Sequence, residues 1–120
     1  MIVRSYNNGL DDGVWVKGYL RCDCGMWLIY QFEYDRADQV AYEVNPETIC
    51  QITNLKDKNG NKIWENDIVR LADEDIYIVT WEEDDAVFAL EDVGVVENFG
   101  NVDSRWCEII GNKFDNPELV

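Results

Sequence analysis

The sequence predicts a mostly β protein with only short helices. Stretches rich in β-branched and aromatic residues recur along the chain, and turn-forming residues separate them. No apolar repeat of about 3.6 residues continues for three helical turns. At 120 residues the chain has the length of one domain, so we predict a single domain over residues 1–120.

The first half of the chain reads as three strands. Residues 13–20 hold β-branched and aromatic residues between glycines, and residues 28–34 alternate apolar and polar side chains within a second strand over residues 26–34. Asp23, Cys24 and Gly25 form a plausible turn between the two strands. A third strand is predicted near residues 40–44. Residues 45–48 then form a sharp corner, because proline fixes φ and has no N–H for a strand ladder.

The second half contains a predicted β-hairpin. Residues 76–81 and 86–90 are strongly β-forming, and the four acids Glu82, Glu83, Asp84 and Asp85 separate them. Four consecutive like charges require water around them, so we expect an exposed tip. Short helices are predicted near residues 35–39 and 116–118.

The segment 51–71 reads Q-I-T-N-L-K-D-K-N-G-N-K-I-W-E-N-D-I-V-R-L and predicts two turns. Asn59-Gly60 is a strong tight-turn signal, because both residues tolerate positive φ. Glu65, Asn66 and Asp67 form the second turn, which leads directly into a strand over residues 68–71.

The same segment resembles a calcium loop but fails at the two demanding positions. With Asp57 as the first ligand, Asn59 and Asn61 stand acceptably at positions three and five. The sixth position should be glycine and is Lys62, and the twelfth should be glutamate and is Ile68. We therefore predict no calcium site of this kind.

The four cysteines are Cys22, Cys24, Cys50 and Cys107. A structural zinc site is a weak interpretation, because the C-x-C spacing is tighter than zinc pairs favour and the chain has no histidine. Two disulfides are disfavoured in a reducing cytosol. We predict buried free thiols, and no metal or cofactor.

The charge is concentrated in one region. The net charge is −15, and residues 71–104 hold eleven acids and no Lys or Arg. Such a surface repels nucleic acids and anionic membranes, so direct binding to either is not expected. It can bind a basic protein, imitate DNA toward a host DNA-binding protein, or serve only as a solvated surface.

The chain is predicted to be cytoplasmic. No apolar run approaches the ~18 residues of a membrane span. The first residues, M-I-V-R-S-Y-N-N, lack the apolar centre of a signal peptide.

Residues 53–69 resemble the most recognisable stretch of the YopX family of phage and prophage proteins, T-G-L-x-D-K-N-G-K-x-I-Y-E-G-D-I-V. Further similarities lie at residues 15–20, 44–49 and 109–119, in the family's order. Two departures stand out, Asn54 and Asn66, which replace glycines of the pattern. Asparagine suits a left-handed conformation, so both turns can form. The resemblance implies an SH3-like β-barrel or roll with additional strands in a bacterial host's cytoplasm, and it brings no established activity.

Catalytic groups are scarce. Without histidine the chain cannot form a Ser–His or Cys–His pair. Glu65 and Asp67 are the only carboxyls set among apolar residues, beside Trp64 and Ile68, and turn formation is their simpler explanation. Five tryptophans are expected mostly in the core, with one or two at an interface.

The leading hypothesis is a non-enzymatic accessory protein that binds a host or phage protein and can form a homo-oligomer. A DNA-mimic inhibitor acting through residues 71–104 is the sharper version, and a small hydrolase using Glu65 or Asp67 is the alternative. The candidate binding residues are Trp64, Glu65, Asp67, Trp81, Glu82, Glu83, Asp84 and Asp85.

Overall fold

The computed structural model describes residues 2–6, 15–30, 41–72, 75–92 and 95–120. These residues confirm a mostly β protein and contain no α-helix. The described strands are β1 (Ile2–Tyr6), β2 (Trp15–Asp23), β3 (Met26–Tyr30), β4 (Ala41–Glu43), β5 (Cys50–Lys56), β6 (Lys62–Trp64), β7 (Asp67–Arg70), β8 (Ile76–Glu82), β9 (Val87–Asp92), β10 (Val95–Asn98) and β11 (Glu108–Asn112). Single turns of 3-10 helix occupy Pro46–Thr48, Phe99–Asn101, Ser104–Trp106 and Pro117–Leu119.

The chain divides into two compact units, Met1–Gln51 and Ile52–Val120. Strand β5 crosses the boundary: Cys50 and Gln51 pair with β1, and Ile52 and Lys56 pair with β6. That the chain forms one domain remains a prediction.

The first unit is an antiparallel sheet in the order β4-β3-β2-β1-β5. The β2–β3 hairpin turns at Cys24 and Gly25, whose φ angles of +51° and +79° give the local twist that a two-residue hairpin needs. The predicted turn and the strands on either side of it are confirmed, although residues 13–14 and 31–34 lie outside the described residues. The third predicted strand is β4.

The core of the first unit is built by Val3, Val16, Ile29 and Val44, which are all buried. The predicted corner after β4 is also confirmed. The Asn45 side chain accepts a hydrogen bond from the Glu47 backbone N–H at 3.0 Å and caps the 3-10 turn Pro46–Thr48.

The second unit contains the β5–β6 hairpin and an antiparallel sheet in the order β10-β9-β8-β7-β11. Its core is an apolar cluster of fully or almost fully buried side chains: Ile63, Val69, Val79, Leu90, Phe99 and Cys107. One face of β8 and β9 packs on this cluster, because alternate residues of a strand point to the same side.

The acidic hairpin is confirmed as β8 and β9. Trp81 stands opposite Phe88 in the ladder, with ring centroids 4.9 Å apart in an edge-on arrangement. The turn occupies residues 83–86 and ends at Ala86, whose φ is +53°. Glu82 remains in β8 because it pairs with Val87, so the tip begins one residue later than predicted.

The SH3-like barrel is not confirmed. The structure has two antiparallel sheets, and a closed barrel requires every strand to pair on both sides. In the second unit, β10 pairs only with β9 and β11 only with β7 among the described strands, so that sheet stays open.

The predicted short helix near residues 116–118 is present as the 3-10 turn Pro117–Leu119, and the one near residues 35–39 lies outside the described residues. Among the described residues, no helix has the length and apolar character needed to span a membrane.

Candidate functional site

The loop between β5 and β6 is organised by the Asp57 carboxylate, which is 3% exposed. One oxygen accepts hydrogen bonds from the backbone N–H groups of Asn59 and Asn61, both at 2.9 Å. The other accepts from the N–H of Ile109 on β11 at 3.1 Å. Asp57 therefore shapes its own loop and fastens it to a strand 52 positions away in sequence.

The electrostatics of Asp57 follow from these bonds. Burial alone would raise the pKa of this carboxyl, but the backbone hydrogen bonds from Ile109, Asn61 and Asn59 outweigh burial and lower the pKa below its usual range. The carboxylate is thus held in its charged form by three donors that the fold supplies.

The spacing of Asp57, Asn59 and Asn61, which resembles a calcium loop, serves to form a turn. The backbone at Asn59 and Asn61 binds Asp57, and Gly60 provides the positive φ of +81° that closes the loop. In the described part of the chain, no group of three or more Cys, Asp or Glu side chains is arranged to hold a metal ion.

A pair of ionic contacts reinforces the same junction. Lys58 Nζ lies 3.0 Å from a carboxylate oxygen of Glu108, and the guanidinium of Arg70 binds the other oxygen. Hydrogen bonds from Lys58 and then Arg70 lower the pKa of Glu108. The Lys58 backbone N–H also donates to the carbonyl of Cys107 at 2.9 Å.

The two asparagines that depart from the family pattern take the conformation expected of them. Asn54 has a φ of +64° and lies where the β5–β6 register shifts, and Asn66 has a φ of +71° in the β6–β7 turn. The neighbouring Thr53 hydroxyl donates to the carbonyl of Ile63 at 2.7 Å and ties the two strands together.

The β6–β7 turn holds three of the predicted site residues. Trp64 is 3% exposed and Asp67 is 2% exposed, whereas Glu65 is half-buried. The Asp67 carboxylate accepts a hydrogen bond from the Trp64 backbone N–H at 2.8 Å, which confirms the expected turn chemistry at the strand entry. Asp67 therefore shapes the β6–β7 turn, as Asp57 shapes the β5–β6 loop.

The expectation that most tryptophans lie in the core is wrong. Only Trp64 is buried; Trp15 and Trp81 are half-buried, and Trp27 and Trp106 are 36% and 64% exposed. Strand pairing decides which face each ring occupies, and this placement depends on contacts distant in sequence.

The cysteine prediction is half right. Cys50 and Cys107 are buried free thiols, but Cys22 and Cys24 are exposed, because they lie at the tip of the β2–β3 hairpin. Burial, followed by the carboxylates of Asp103 and Asp57, raises the pKa of Cys107 to about 11. That thiol therefore stays protonated and unreactive at neutral pH.

The acidic residues of the second unit are largely displayed to solvent. The exposed carboxylate residues described between positions 71 and 104 are Asp75, Glu83, Asp84, Asp85, Glu91, Asp92, Glu97 and Asp103. Glu82 and Trp81, which were also predicted to belong to a site, are half-buried in β8.

The second face of β8 borders an apolar groove of about 630 Å³, here called the β8 groove. Its lining residues are Asn66, Ile76, Ile78, Thr80, Glu91, Asp92, Lys113, Pro117, Leu119 and Val120. Alternate residues of β8 form its floor, two acids of β9 form one part of its rim, and the segment after β11 supplies Lys113 and the apolar residues of the C-terminal turn.

None of the eight predicted site residues lines the β8 groove. The Asn66 backbone N–H donates to the carbonyl of Val79 at 2.7 Å, so the β6–β7 turn adjoins the groove strand without contributing its acids to the lining. The alternation of Ile76, Ile78 and Thr80 was the available sequence signal, because it marks a strand with apolar residues on both faces.

Comparison with known proteins gives the family. Residues 17–120 match the family model described as YopX protein. The chain belongs to the YopX family. No curated protein matches the chain. In this YopX-family chain, the matched residues include the β5–β6 loop and the β6–β7 turn.

Proposed function

We propose that this YopX-family chain is a non-enzymatic protein-interaction module that binds a basic partner protein through the acidic surface of its second unit. We place it in the cytoplasm of a bacterial host as a phage or prophage accessory protein, on the strength of the family resemblance. The observation that carries the proposal is the display of carboxylates by a region without a single Lys or Arg.

The acidic tip supports this proposal because its exposed charges contribute little to the stability of the fold. Glu83, Asp84 and Asp85 are exposed at a hairpin turn, where like charges repel one another. A hydrophobic pair, Trp81 with Phe88, holds the strands beneath them. A basic partner would neutralise this repulsion and be steered toward the surface over about a Debye length, which is ~8 Å at physiological salt.

A capture experiment tests the proposal. The full chain is immobilised and exposed to a bacterial lysate, and its bound proteins are quantified by mass spectrometry. Neutralising the tip with Glu83→Gln, Asp84→Asn and Asp85→Asn is expected to reduce capture of basic proteins roughly tenfold, since losing a few ion pairs costs about 1.4 kcal/mol.

The matched control removes the same charge from the first unit. Asp23→Asn, Glu43→Gln and Glu47→Gln alter three exposed acids there and should leave capture unchanged. Equal losses for both variants, or no loss for either, would count against the acidic surface as the binding region. Light scattering of the unmodified chain separately tests the proposed homo-oligomer.

The narrower form of the proposal is a DNA mimic. It requires that the captured partner be a DNA-binding protein and that the acids occupy the place of phosphates. Competition between the chain and duplex DNA for that partner should then weaken steeply with added salt. Absence of competition at low salt rejects the mimic and leaves the wider proposal in place.

A further inference from the structure

We infer that the β8 groove binds an extended segment of the basic partner in which Lys or Arg alternates with aliphatic residues. This inference rests on the proposed function and adds to it the place and the chemistry of recognition. It is carried by three features of the groove: its size, its apolar floor and the charges along its rim.

The size and floor suit a short stretch of extended chain. A volume of about 630 Å³ lies within the ~300–1,000 Å³ of ligand sites in proteins. Ile76 and Ile78 are half-buried on the same face of β8, and Leu119 and Val120 stand along the groove. Aliphatic side chains that enter here would remove this apolar surface from water.

The rim selects the charge of the occupant. Glu91 and Asp92 are both exposed on β9, inside a region that has no Lys or Arg from position 71 to 104. A Lys or Arg next to the buried aliphatic side chain can reach these carboxylates. Lys113 lies on the rim after β11 and disfavours a second cation there, which orients the segment with its basic side chain toward β9.

The spacing of an extended segment matches these two demands. In an extended chain successive side chains point to opposite sides. Aliphatic residues can therefore face the floor formed by Ile76 and Ile78, while the intervening basic residues lean outward to the rim at Glu91 and Asp92. A purely basic or a purely apolar segment satisfies only one of these requirements.

Calorimetric titration of the full chain tests the inference with defined peptides. The probe is an acetylated and amidated hexapeptide of alternating lysine and valine, at about 0.15 M salt so that distant charges are screened. Saturable binding of one peptide per chain is expected. A lysine–serine peptide of the same charge and a glutamate–valine peptide of the same apolarity should each bind at least tenfold more weakly, by roughly one order of magnitude per lost feature.

Two exposed double variants locate the site. Glu91→Gln with Asp92→Asn should weaken the lysine–valine peptide roughly tenfold. Asp23→Asn with Glu43→Gln removes the same charge from the first unit, outside the groove and the acidic surface, and should change the affinity less than about twofold at this salt. All four side chains are exposed, so both variants are expected to fold, and urea midpoints check this.

A third variant fills the groove without altering charge. Ile78→Phe adds volume to the floor and should weaken peptide binding at least about fivefold, although the carboxylates of Glu91 and Asp92 are retained. If this variant fails to fold, Leu119→Ala offers a second test, because it removes apolar contact area from the same groove.

The outcomes separate the inference from the proposed function. Equal binding of the lysine–valine and lysine–serine peptides, or a rim variant that binds no more weakly than the first-unit variant, would overturn the groove inference. The capture experiment would then still test the acidic surface by itself. Equal binding of the glutamate–valine peptide would overturn the charge assignment. A third outcome concerns the hairpin tip. If the lysine–valine peptide binds selectively but the variant Glu83→Gln, Asp84→Asn and Asp85→Asn captures lysate proteins as well as the unmodified chain does, only the role of the tip is contradicted.

Discussion

Two loops of the second unit carry carboxylates and use them in opposite ways. At the β5–β6 loop, Asp57 is buried and receives three backbone N–H groups, two from its own loop and one from β11. At the β8–β9 tip, Glu83, Asp84 and Asp85 are exposed. The first loop lies within residues 53–69, which resemble the YopX stretch T-G-L-x-D-K-N-G-K-x-I-Y-E-G-D-I-V, and the second lies outside those residues.

The contrast teaches that a recognisable segment need not be a binding site. Residues 51–71 are specific because left-handed turns and buried hydrogen bonds tolerate few alternatives. An exposed acidic tip can have many different sequences with the same charge, so no sequence motif identifies it as a site. The displayed carboxylates and the β8 groove are therefore the surfaces that we propose bind the partner.

The largest expected effect lies at Asp57. Asp57→Ala leaves the N–H groups of Asn59, Asn61 and Ile109 without their acceptor, which should cost about 3 kcal/mol of the free energy of unfolding. Urea denaturation followed by tryptophan fluorescence measures this change. A loss below about 1 kcal/mol would mean that water replaces the carboxylate easily, and the contrast between the two loops would then weaken.

The pH dependence of stability should come in part from the same carboxyl. Its pKa is lower in the folded protein than its ordinary value of 3.8, so the folded state binds a proton less readily than the unfolded state. The stabilisation is complete above that ordinary value and is lost as the pH falls through the lower folded pKa. Asp57→Asn should flatten this part of the acid unfolding curve; an unchanged slope would contradict the assignment.

A stabilising change is predicted on the floor of the β8 groove. The Thr80 Oγ1 atom is buried and has no hydrogen-bond partner within the described part of the chain. Thr80→Val replaces the hydroxyl by a methyl group of similar shape and should raise the free energy of unfolding by about 1 kcal/mol. Thermal denaturation measures it, and a destabilised variant would show that the hydroxyl has a partner in solution.

Two left-handed positions, Ala86 in the acidic turn and Asn54 in β5, should differ by a smaller amount. Ala86 closes the acidic turn at φ +53°, where a side chain is strained, whereas Asn54 at φ +64° is a residue type that tolerates this region. Ala86→Gly should stabilise the protein by about 0.5–1 kcal/mol, and Asn54→Gly by less than that. Matching urea midpoints for the two variants would refute the difference.

The smallest effect on stability is expected at the hairpin tip. Neutralising Glu83, Asp84 and Asp85 together should change the free energy of unfolding by less than about 0.5 kcal/mol, because exposed charges far from other contacts contribute little. The same substitutions are expected to alter partner capture strongly. A large loss of stability here would mean that the tip supports the fold.

Much of the fold could be predicted because its signals are local. The β2–β3 turn, the corner at Pro46 and the acidic hairpin depend on neighbouring residues, and all three are confirmed. The glycine replacements at Asn54 and Asn66 also kept their left-handed backbone as expected. Barrel closure was not predictable in this way, since it depends on which distant strand edges pair.

The candidate site could be predicted only in part. The acidic character of the second unit follows from composition, but the β8 groove also requires Leu119 and Val120 to lie beside β8, about 40 positions away in sequence. In the same way, the role of Asp57 was hidden because its partner Ile109 is distant in sequence. The exposure of Trp27 and Trp106 was missed for the same physical reason.

Carbodiimide cross-linking of the full chain to a captured partner tests the central claim most directly. This reagent joins a carboxylate to a lysine amine in contact with it, and mass spectrometry identifies each joined residue. We expect cross-links at Glu83, Asp84, Asp85, Glu91 and Asp92. Cross-links concentrated at Glu65, or at Asp23, Glu43 and Glu47 of the first unit, would contradict it.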